Sequence, residues 1–532
     1  MTATIPAQAP APSAPAGPRP WQRAARILRI EIRHSAFVWC LPLLVILFIY
    51  DPYRTAAGYP ALWPLRSTVV LNKFWPDMVI FASGFSAWAG SREGRRNVGD
   101  LLATTARPAW ARQLCSLAGT AFWVVAAFLA GVIVLYGRTS QQATWGGPPI
   151  APVVVGVVGL LAVCTVAFTL GALFPGRFTA PIVAVALMII TLYAFRQAVG
   201  DNGGGSGAIG VLSPDGGVPG DDWGVFYPVS VGVPIVQTGF MAGVVLAALG
   251  VLGLSPRTGG VGWRGRLSAV AAGGPRLRAI AGSAVAVGVA LVVAAFALAG
   301  TANVSDATST LQIPAIDNAL AGSKPIPYTP VCSSSHGGAG FAVCLHPAYR
   351  SYLPQVTDAL SQVMGELSGL PGLPGRASQI SAAAVPQWAQ GSPGSGQIVG
   401  RTYEFVLSNS VGWSSNSSTI ENNLRQDLAH AIIAGTGKTV TLPGGAQIYA
   451  AGTPAQQAVV DGVLKVLGTP PYPVSESDNG PATAGLSTPA QQVQVLAAAA
   501  KFAALPSRTR DAWLAANLTA LKTGTITLAQ LP

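Results

Sequence analysis

Residues 91–114 read SREGRRNVGDLLATTARPAWARQL and lie between two apolar segments of the chain. Five arginines stand in this stretch against Glu93 and Asp100, and the pair Leu101–Leu102 lies near its middle. Lys and Arg are enriched in the cytosolic loops of membrane proteins, so a short basic loop between apolar spans is expected to face the cytosol. The stretch therefore predicts a multi-span membrane fold and sets the side on which the other loops lie.

The composition also favours a membrane protein. Half of the 532 residues are hydrophobic, only 10% are charged, and the mean hydropathy is +0.46. A soluble protein carries about 25% charged residues. The whole net charge of +12 belongs to the apolar residues 1–300, whereas a nucleic-acid-binding protein clusters its positive charge on a polar domain. We therefore expect no nucleic-acid partner.

Seven apolar segments have about the length of 20 residues that a helix needs to cross a bilayer. They cover 35–51, 74–91, 114–136, 151–174, 178–196, 229–254 and 279–300. The second is the most polar and is expected to face protein or water rather than lipid, because polar side chains are costly in hydrocarbon. The Ala/Pro-rich residues 1–20 predict a disordered cytosolic tail, and residues 21–34 predict a basic amphipathic helix that lies at the membrane surface.

The loops between these segments predict the orientation of the chain. One alternating set holds 16 arginines, and the opposite set holds five basic residues. The arginine-rich set comprises the stretch 19–33 and the segments 91–112, 175–177 and 255–278. The positive-inside rule places this set and the N-terminus in the cytosol, and after seven spans it places residues 301–532 outside. Three aromatic residues close the long external connection and predict an interfacial belt: Trp223, Phe226 and Tyr227.

The predicted fold class is an α-helical polytopic membrane protein of the plasma membrane with an α-rich α+β extracytoplasmic domain. Its predicted parts are a six-helix bundle over 35–254, a basic cytosolic loop over 255–278, a seventh span over 279–300 and the outer domain over 301–532. The lipid bilayer is therefore one expected partner.

Local patterns predict several elements of the outer domain. Helical spacing of apolar residues predicts a helix over 348–368, and the run 396–409 predicts a strand or hairpin. Ser418 with Glu421 forms the pattern of a capping box at the start of a helix, which Gly435 would end. Helices also begin at the two TPAQQ copies, and a last helix follows. These last elements are 453–457, 488–492 and 507–522.

Cys332 and Cys344 are the two cysteines of the outer domain. Outside the cytosol, two nearby thiols most simply form a disulfide, with a contribution of about 3 kcal/mol from its short loop. The surrounding run, CSSSHGGAGFAVCLH, also offers His336 and His346 as ligands for zinc, although a Cys-x-His pair is tighter than the usual spacing. Disulfide, zinc site and free thiols stay open at this point.

No set of catalytic residues stands out in the sequence. AGTGKT at 434–439 resembles a phosphate-binding loop, but Ile432 stands where the pattern needs glycine. His430 lacks the neighbouring glutamate and second histidine of a zinc-peptidase helix. We therefore expect that the chain is not an enzyme and that it holds neither a cofactor nor a metal.

The opening loop contains Glu93-Gly94-Arg95-Arg96, then Asp100 to Thr105, and then Pro108. This order resembles the loop between the second and third spans of bacterial ABC transporter permeases of the type-2 export family. The amphipathic entry helix and the long outer loop are similar too, and the resemblance covers residues 21–254. The added span and the outer domain, with its Cys…CxHPAY stretch, resemble an actinobacterial variety of these permeases.

The resemblance implies a role for the loop. In that family the loop couples the spans to a separate ATP-binding subunit, which hydrolyses the ATP, and the permease works as a dimer with a second copy or a paralogue. The residues implied in this coupling are Glu93, Arg95, Arg96, Leu101, Leu102, Thr105 and Pro108. The leucine pair can fill an apolar groove on the partner, and the charged residues can pair with charges there.

Two hypotheses follow. In the first, the chain is the membrane-spanning permease subunit of an ABC exporter, and the outer domain binds substrate or a partner, or gates the exit. In the second, the chain is a membrane-anchored extracytoplasmic binding or sensor protein without transport activity. The loop distinguishes them, because only the first requires an ATP-binding subunit at residues 91–114.

Overall fold

The computed structural model describes most of the chain. The described residues are 20–96, 109–199, 209, 212–214, 224–228, 232–254, 275–300, 303–305, 310–312, 325–334, 341–381, 396–407, 417–435, 438–441, 447–450, 452–470 and 489–532. The predicted tail 1–20 and basic loop 255–278 fall almost wholly outside them, and so do Leu101, Leu102, Thr105 and Pro108.

The first part of the chain is a set of helices. They are α1 (Pro20–Arg33), α2 (Leu41–Phe48), α3 (Arg54–Gly58), α4 (Trp63–Val69), α5 (Trp75–Arg95), α6 (Ala109–Gln142), α7 (Ala151–Leu173), α8 (Thr179–Val199), α9 (Gly232–Leu254) and α10 (Pro275–Gly300). A 3-10 turn, Ala36–Cys40, leads into α2. Pro42 lies in the first turn of α2, where its missing N–H does not cost a helical hydrogen bond. A π turn at Val70–Phe74 joins α4 to α5.

Among the described residues, five helical stretches are long and apolar enough to cross a membrane. They are Ala25–Gly58, Trp110–Gln142, Ala151–Leu173, Gly232–Leu254 and Arg278–Ala299. The chain thus has the helices of a multi-pass membrane protein. The predicted spans 74–91 and 178–196 coincide with α5 and α8, of which α5 is more polar and α8 has a shorter apolar stretch, Thr179–Ala194.

Helix α5 lies inside the bundle, between α6, α7 and α8. The expectation that this polar segment faces protein is confirmed, because Ser83 and Ser86 are fully buried. Small residues let its backbone meet that of α7: a Cβ atom added at Gly90 would lie 2.2 Å from the carbonyl oxygen of Phe168, and one at Gly171 would lie 2.2 Å from that of Ala87. Such close crossings are typical of membrane helices.

We predict that Gly90→Ala destabilises the bundle, because the added methyl group meets backbone rather than a movable side chain. Overpacking of this kind costs about 1–3 kcal/mol. Gly137→Ala in α6 is the matched control, since a Cβ atom there meets no described atom within 4 Å. The test is thermal unfolding in detergent, in which only Gly90→Ala should lower the midpoint. Equal midpoints for the two variants would contradict the close crossing.

The C-terminal part combines a sheet with helices, as the predicted α+β class requires. The strands are β1 (Asn303–Ser305), β2 (Thr310–Gln312), β3 (Val331–Ser334), β4 (Ala342–Leu345), β5 (Arg376–Gln379), β6 (Gln397–Val399), β7 (Thr402–Phe405), β8 (Lys438–Thr441) and β9 (Gln447–Ala450). Within the described residues, five of them form one sheet in the order β3-β4-β5-β7-β6. The two inner pairings are parallel, and the outer pairings, β3–β4 and β6–β7, are antiparallel.

Among the described residues, five α-helices complete this part: α11 (Leu353–Glu366), α12 (Ser417–Ile433), α13 (Pro454–Val466), α14 (Pro489–Ala504) and α15 (Ser507–Thr523). Buried side chains of the sheet, such as Tyr403 and Phe405, share one hydrophobic cluster with the helices. A buried ion pair between Arg510 and Glu366 ties α15 to α11.

Most local predictions for this part are confirmed. The predicted helix 348–368 is a 3-10 turn followed by α11, and 396–409 contains the hairpin β6–β7. Thr453 caps α13 in a capping box with Gln456, and Gly435 adopts a φ of +78° after α12. The capping box of Ser418 and Glu421 stays a prediction: α12 begins at Ser417, and Glu421 Oε2 lies 3.1 Å from Arg425 Nη2.

Candidate functional site

The two ends of the helical bundle have different surroundings. The domain end consists of residues 59–66, 142–145 and 224–228, and its apolar side chains belong to the hydrophobic cluster of the C-terminal domain. The basic end consists of the ends of α1 and α5, the start of α6 and the turn 174–178. The predicted external loops therefore meet the C-terminal domain at one end, and the predicted coupling loop leaves the bundle at the other.

At the basic end, the last turn of α5 contacts three other parts of the bundle. Arg92 Nη2 lies 2.9 Å from Glu31 Oε1 on α1, and Glu93 Oε1 lies 3.5 Å from Arg112 Nε on α6. A Cβ atom at Gly94 would lie 2.5 Å from Pro175, in the turn between α7 and α8. This turn is therefore in contact with α1, with α6 and with the turn that joins α7 to α8.

The predicted loop residues of this end differ in their contacts. Arg95 folds back along its own helix: its Nη2 donates to the carbonyl oxygen of Trp88 at 3.1 Å, and its guanidinium carbon lies 3.5 Å from the centre of the Trp88 ring. Arg96 is exposed. Glu93 is half-buried beside Arg112. Arg96 is thus the described arginine of the loop that is best placed to meet a partner.

Sequence reasoning missed the part played by Glu31. The residue is the one acid in the basic helix α1, and that contrast is the signal that points to it. It binds Arg92, and its backbone packs against Gly119 of α6. The indole Nε1 of Trp123 donates to the carbonyl oxygen of Ile32 at 2.7 Å and fixes the same turn. The amphipathic helix is therefore joined to the bundle beside the predicted coupling loop.

At the domain end, the imidazole of His346 is fully buried among three aromatic rings. The ring centres of Tyr328, Trp145 and Phe226 lie 4.2, 4.7 and 4.9 Å from that of His346. Trp145 and Phe226 come from loops of the bundle, whereas Tyr328 and His346 precede strands and helices of the domain. This set, called the aromatic box below, joins the two parts of the chain. The prediction that Phe226 belongs to an interfacial belt is corrected accordingly.

Backbone groups hold the same contact. Thr144 Oγ1 donates to the carbonyl oxygen of Pro347 at 2.8 Å, and the amide of Ile326 donates to the carbonyl oxygen of Phe226 at 2.7 Å. Buried Arg66 supports the neighbouring loop, because its guanidinium donates to the carbonyl oxygens of Tyr59 and Pro60. The domain is therefore held to the bundle by directional bonds as well as by apolar contact.

The imidazole of His346 has one defined polar partner. Its Nδ1 accepts a hydrogen bond from the amide of Ala348 at 3.1 Å and caps the following 3-10 turn. Burial lowers the pKa of His346 to about 4, so the ring is neutral at pH 7 with its proton assigned to Nε2. Nε2 has no hydrogen-bond partner among the described residues. A protonated ring would therefore be an uncompensated charge in an aromatic pocket.

The predicted disulfide is present between Cys332 and Cys344, which face each other across β3 and β4. Because the two sulfur atoms are bonded to each other, they are not available as zinc ligands, and the zinc alternative is wrong. His336 lies outside the described residues. Cys344 lies two positions before His346, so the disulfide holds β4, the strand that leads directly into His346.

We predict that replacing both cysteines with serine lowers the stability of the C-terminal domain by about 3 kcal/mol, because the unfolded chain then gains the freedom of a short open loop. Cys115→Ser in α6, at a thiol outside any disulfide, is the control. Urea unfolding of the full chain tests this, followed by the part of the fluorescence that is lost in Trp513→Phe, because the chain contains 13 tryptophans. An unchanged midpoint in the double variant would contradict a structural role for the bridge.

No protein-family model, no curated protein and no solved structure matches this chain. Its function is therefore inferred from the contacts at the two ends of the bundle.

Proposed function

We propose that this chain is the membrane-spanning permease subunit of an ABC exporter and that a separately encoded ATP-binding subunit docks on residues 91–114. The partner binds and hydrolyses ATP, and this chain supplies the path through the plasma membrane. The N-terminus lies in the cytosol and the C-terminal domain lies outside. The working unit contains two permease chains, either two copies or this chain with a paralogue.

The observation that supports the proposal best is the position of the last turn of α5. The loop that resembles a coupling element emerges directly from this turn, and the turn contacts α1, α6 and the α7–α8 turn. A force applied to the loop therefore reaches four other helices within one helical turn. A loop that served only as a solvated connector would not require these contacts.

A second observation concerns how such a force reaches the other side. Helix α4, the π turn and α5 form one unbroken helical path from Trp63 to Arg95, because the junction residues Val70 and Trp75 keep right-handed helical angles. At a rise of about 1.5 Å per residue this path is about 50 Å long. Leu65 at its start belongs to the cluster of the C-terminal domain. The path thus joins the coupling loop to the domain end.

The proposal is tested by reconstituting the full chain in liposomes with its ATP-binding subunit, which we expect to be a P-loop ATPase encoded next to this chain. We expect ATP hydrolysis by that subunit to rise severalfold when the permease is present. Glu31→Arg should reduce the rise severalfold, because it sets like charges against each other at Arg92. The swapped pair, Glu31→Arg with Arg92→Glu, should recover part of it. A permease that neither binds the ATPase nor changes its rate would overturn the proposal.

The alternative, a membrane-anchored binding or sensor protein, is favoured by one observation. The aromatic box fastens the C-terminal domain to two loops of the bundle, as a receptor domain that signals through its anchor would also require. The two functions differ in their need for nucleotide. If the chain is a sensor, its ligand binding and signalling are unchanged when the gene of the ATP-binding subunit is deleted. If the chain is an exporter, the same deletion abolishes transport.

A further inference from the structure

A groove runs along the side of the bundle between the start of the first span, α5 and α8. It encloses about 540 Å³ and is lined almost entirely by apolar atoms. Its walls include Trp39, Ile80 and Trp88, and its floor includes Gly84 and Ala184. The volume lies within the range of about 300–1,000 Å³ that is typical of small-molecule sites.

Small residues create the groove. A Cβ atom at Gly84 would meet only Ala184 among the described residues, at 3.6 Å, so the space above these two residues is open rather than filled by side chains. Trp39 stands at the edge and exposes 88% of its surface, and Trp88 exposes 48%. The groove extends along α5 from Trp88 to Ile80, about 12 Å at 1.5 Å per residue. An extended hydrocarbon chain fits this shape.

A positive charge lies beside one end of the groove, and the acid Asp77 lies three positions before Ile80 at the other end. The guanidinium of Arg95 lies on the ring of Trp88, at the end of the groove nearest the basic end of the bundle. The opposite rim, at Ile80, lies deep in the span. Arg33 ends α1 three positions before the wall residue Ala36. A ligand that matches these features has a hydrocarbon chain and a negatively charged head beside Arg95.

We propose that the groove is a binding site for one anionic phospholipid, with an acyl chain between Trp39, Gly84 and Trp88 and its phosphate beside Arg95. The proposal goes beyond the exporter function, because it assigns a resident lipid and does not require ATP. It agrees with the predicted orientation, in which the basic end faces the cytosolic leaflet, where anionic lipids attract basic groups. The bound lipid would connect the amphipathic helix to the root of the coupling loop.

The test uses quenching of tryptophan fluorescence by brominated lipids in vesicles of phosphatidylcholine with a fixed share of phosphatidylglycerol. The signal of Trp39 is the difference between the parent chain and Trp39→Phe. We expect brominated phosphatidylglycerol to quench this signal at least threefold more than brominated phosphatidylcholine at the same mole fraction. Arg95→Gln should make the two lipids equal.

Two further variants separate chain binding from charge. Gly84→Leu fills the groove without a backbone clash and should reduce quenching by both lipids. Gly137→Leu is the matched control, because Gly137 lies on α6, which does not line the groove, and it should not reduce quenching. Arg138→Gln is the control for loss of a charge, since it removes an exposed arginine far from the groove.

Equal quenching by both lipids in the parent chain would mean an ordinary lipid layer and overturn the proposal. Protection of Trp39 from both lipids, with disulfide cross-linking of Trp39→Cys between two chains, would mean that a second copy covers the groove and would also overturn it.

Discussion

Arg96→Glu combined with Leu101→Asp is expected to abolish the stimulation of the ATP-binding subunit, with a loss of at least tenfold. Arg96 is exposed next to the last turn of α5, which is held by the ion pairs of Arg92 and Glu93. Reversing the charge of Arg96 therefore repels an acidic partner without disturbing these ion pairs. Leu101→Asp places a charge where an apolar contact is predicted, and a buried unpaired charge at an interface costs several kcal/mol. The measurement is ATP hydrolysis by the reconstituted complex.

The control for this variant is Arg138→Glu, which reverses the charge of an exposed arginine near the domain end of α6, away from the basic end, and should leave the ATPase rate unchanged. A thermal unfolding midpoint equal to that of the parent chain shows that the double variant is folded. If the folded double variant still stimulated the ATPase fully, the loop would not be the docking surface. Arg95 is excluded from this test because it already binds Trp88 in its own helix.

The second large effect is expected on acidification, through His346 in the aromatic box. Its pKa is about 4 in the folded chain and about 6.5 in an unfolded one. Between these values the unfolded or undocked state binds more protons, so the stability of the docked state falls as the pH is lowered. The full loss is about 3 kcal/mol, reached near pH 4, and no loss is expected above pH 6.5.

The neutral variant His346→Asn tests this assignment. Asparagine is a good capping residue and can accept the hydrogen bond from Ala348, but it does not gain a proton. We expect the variant to be less stable at pH 7, because it fills the aromatic box poorly, and to lose the extra decline between pH 6.5 and 4. The measurement is amide hydrogen exchange at Ile326, whose backbone bond to Phe226 crosses the junction. The same pH profile in parent and variant would contradict the role of His346.

One other group opposes this effect. Burial raises the pKa of Asp461 in α13 to about 6, so acidification through this pKa relieves a buried carboxylate and adds stability. The total pH dependence of unfolding therefore contains two contributions of opposite sign. Comparison of His346→Asn with the parent chain at each pH isolates the contribution of the aromatic box, because Asp461 is unchanged in both.

Much of the helical architecture follows from the sequence. A span is recognised from about 20 local residues, because lipid requires every backbone group to be bonded within its own helix. Hence the bounds of α7, α9 and α10 agree closely with the predicted segments 151–174, 229–254 and 279–300. Capping chemistry is equally local, as Thr453 shows with Gln456. The start of α12 is less sharply defined by its local pattern: the helix begins at Ser417, and Glu421 pairs with Arg425 one turn further along.

The sequence by itself determined the membrane class and the helical segments, because each depends on composition or on residues close together in the chain. The choice among disulfide, zinc site and free thiols at Cys332 and Cys344 was left open by the sequence and was made by the structure. Only the tertiary structure decided the rest. Glu31 meets Arg92, and Trp145 and Phe226 meet His346, across separations that no local pattern encodes. These contacts depend on how the helices pack, and packing is set by shape over the whole bundle, as at Gly90 and Gly171.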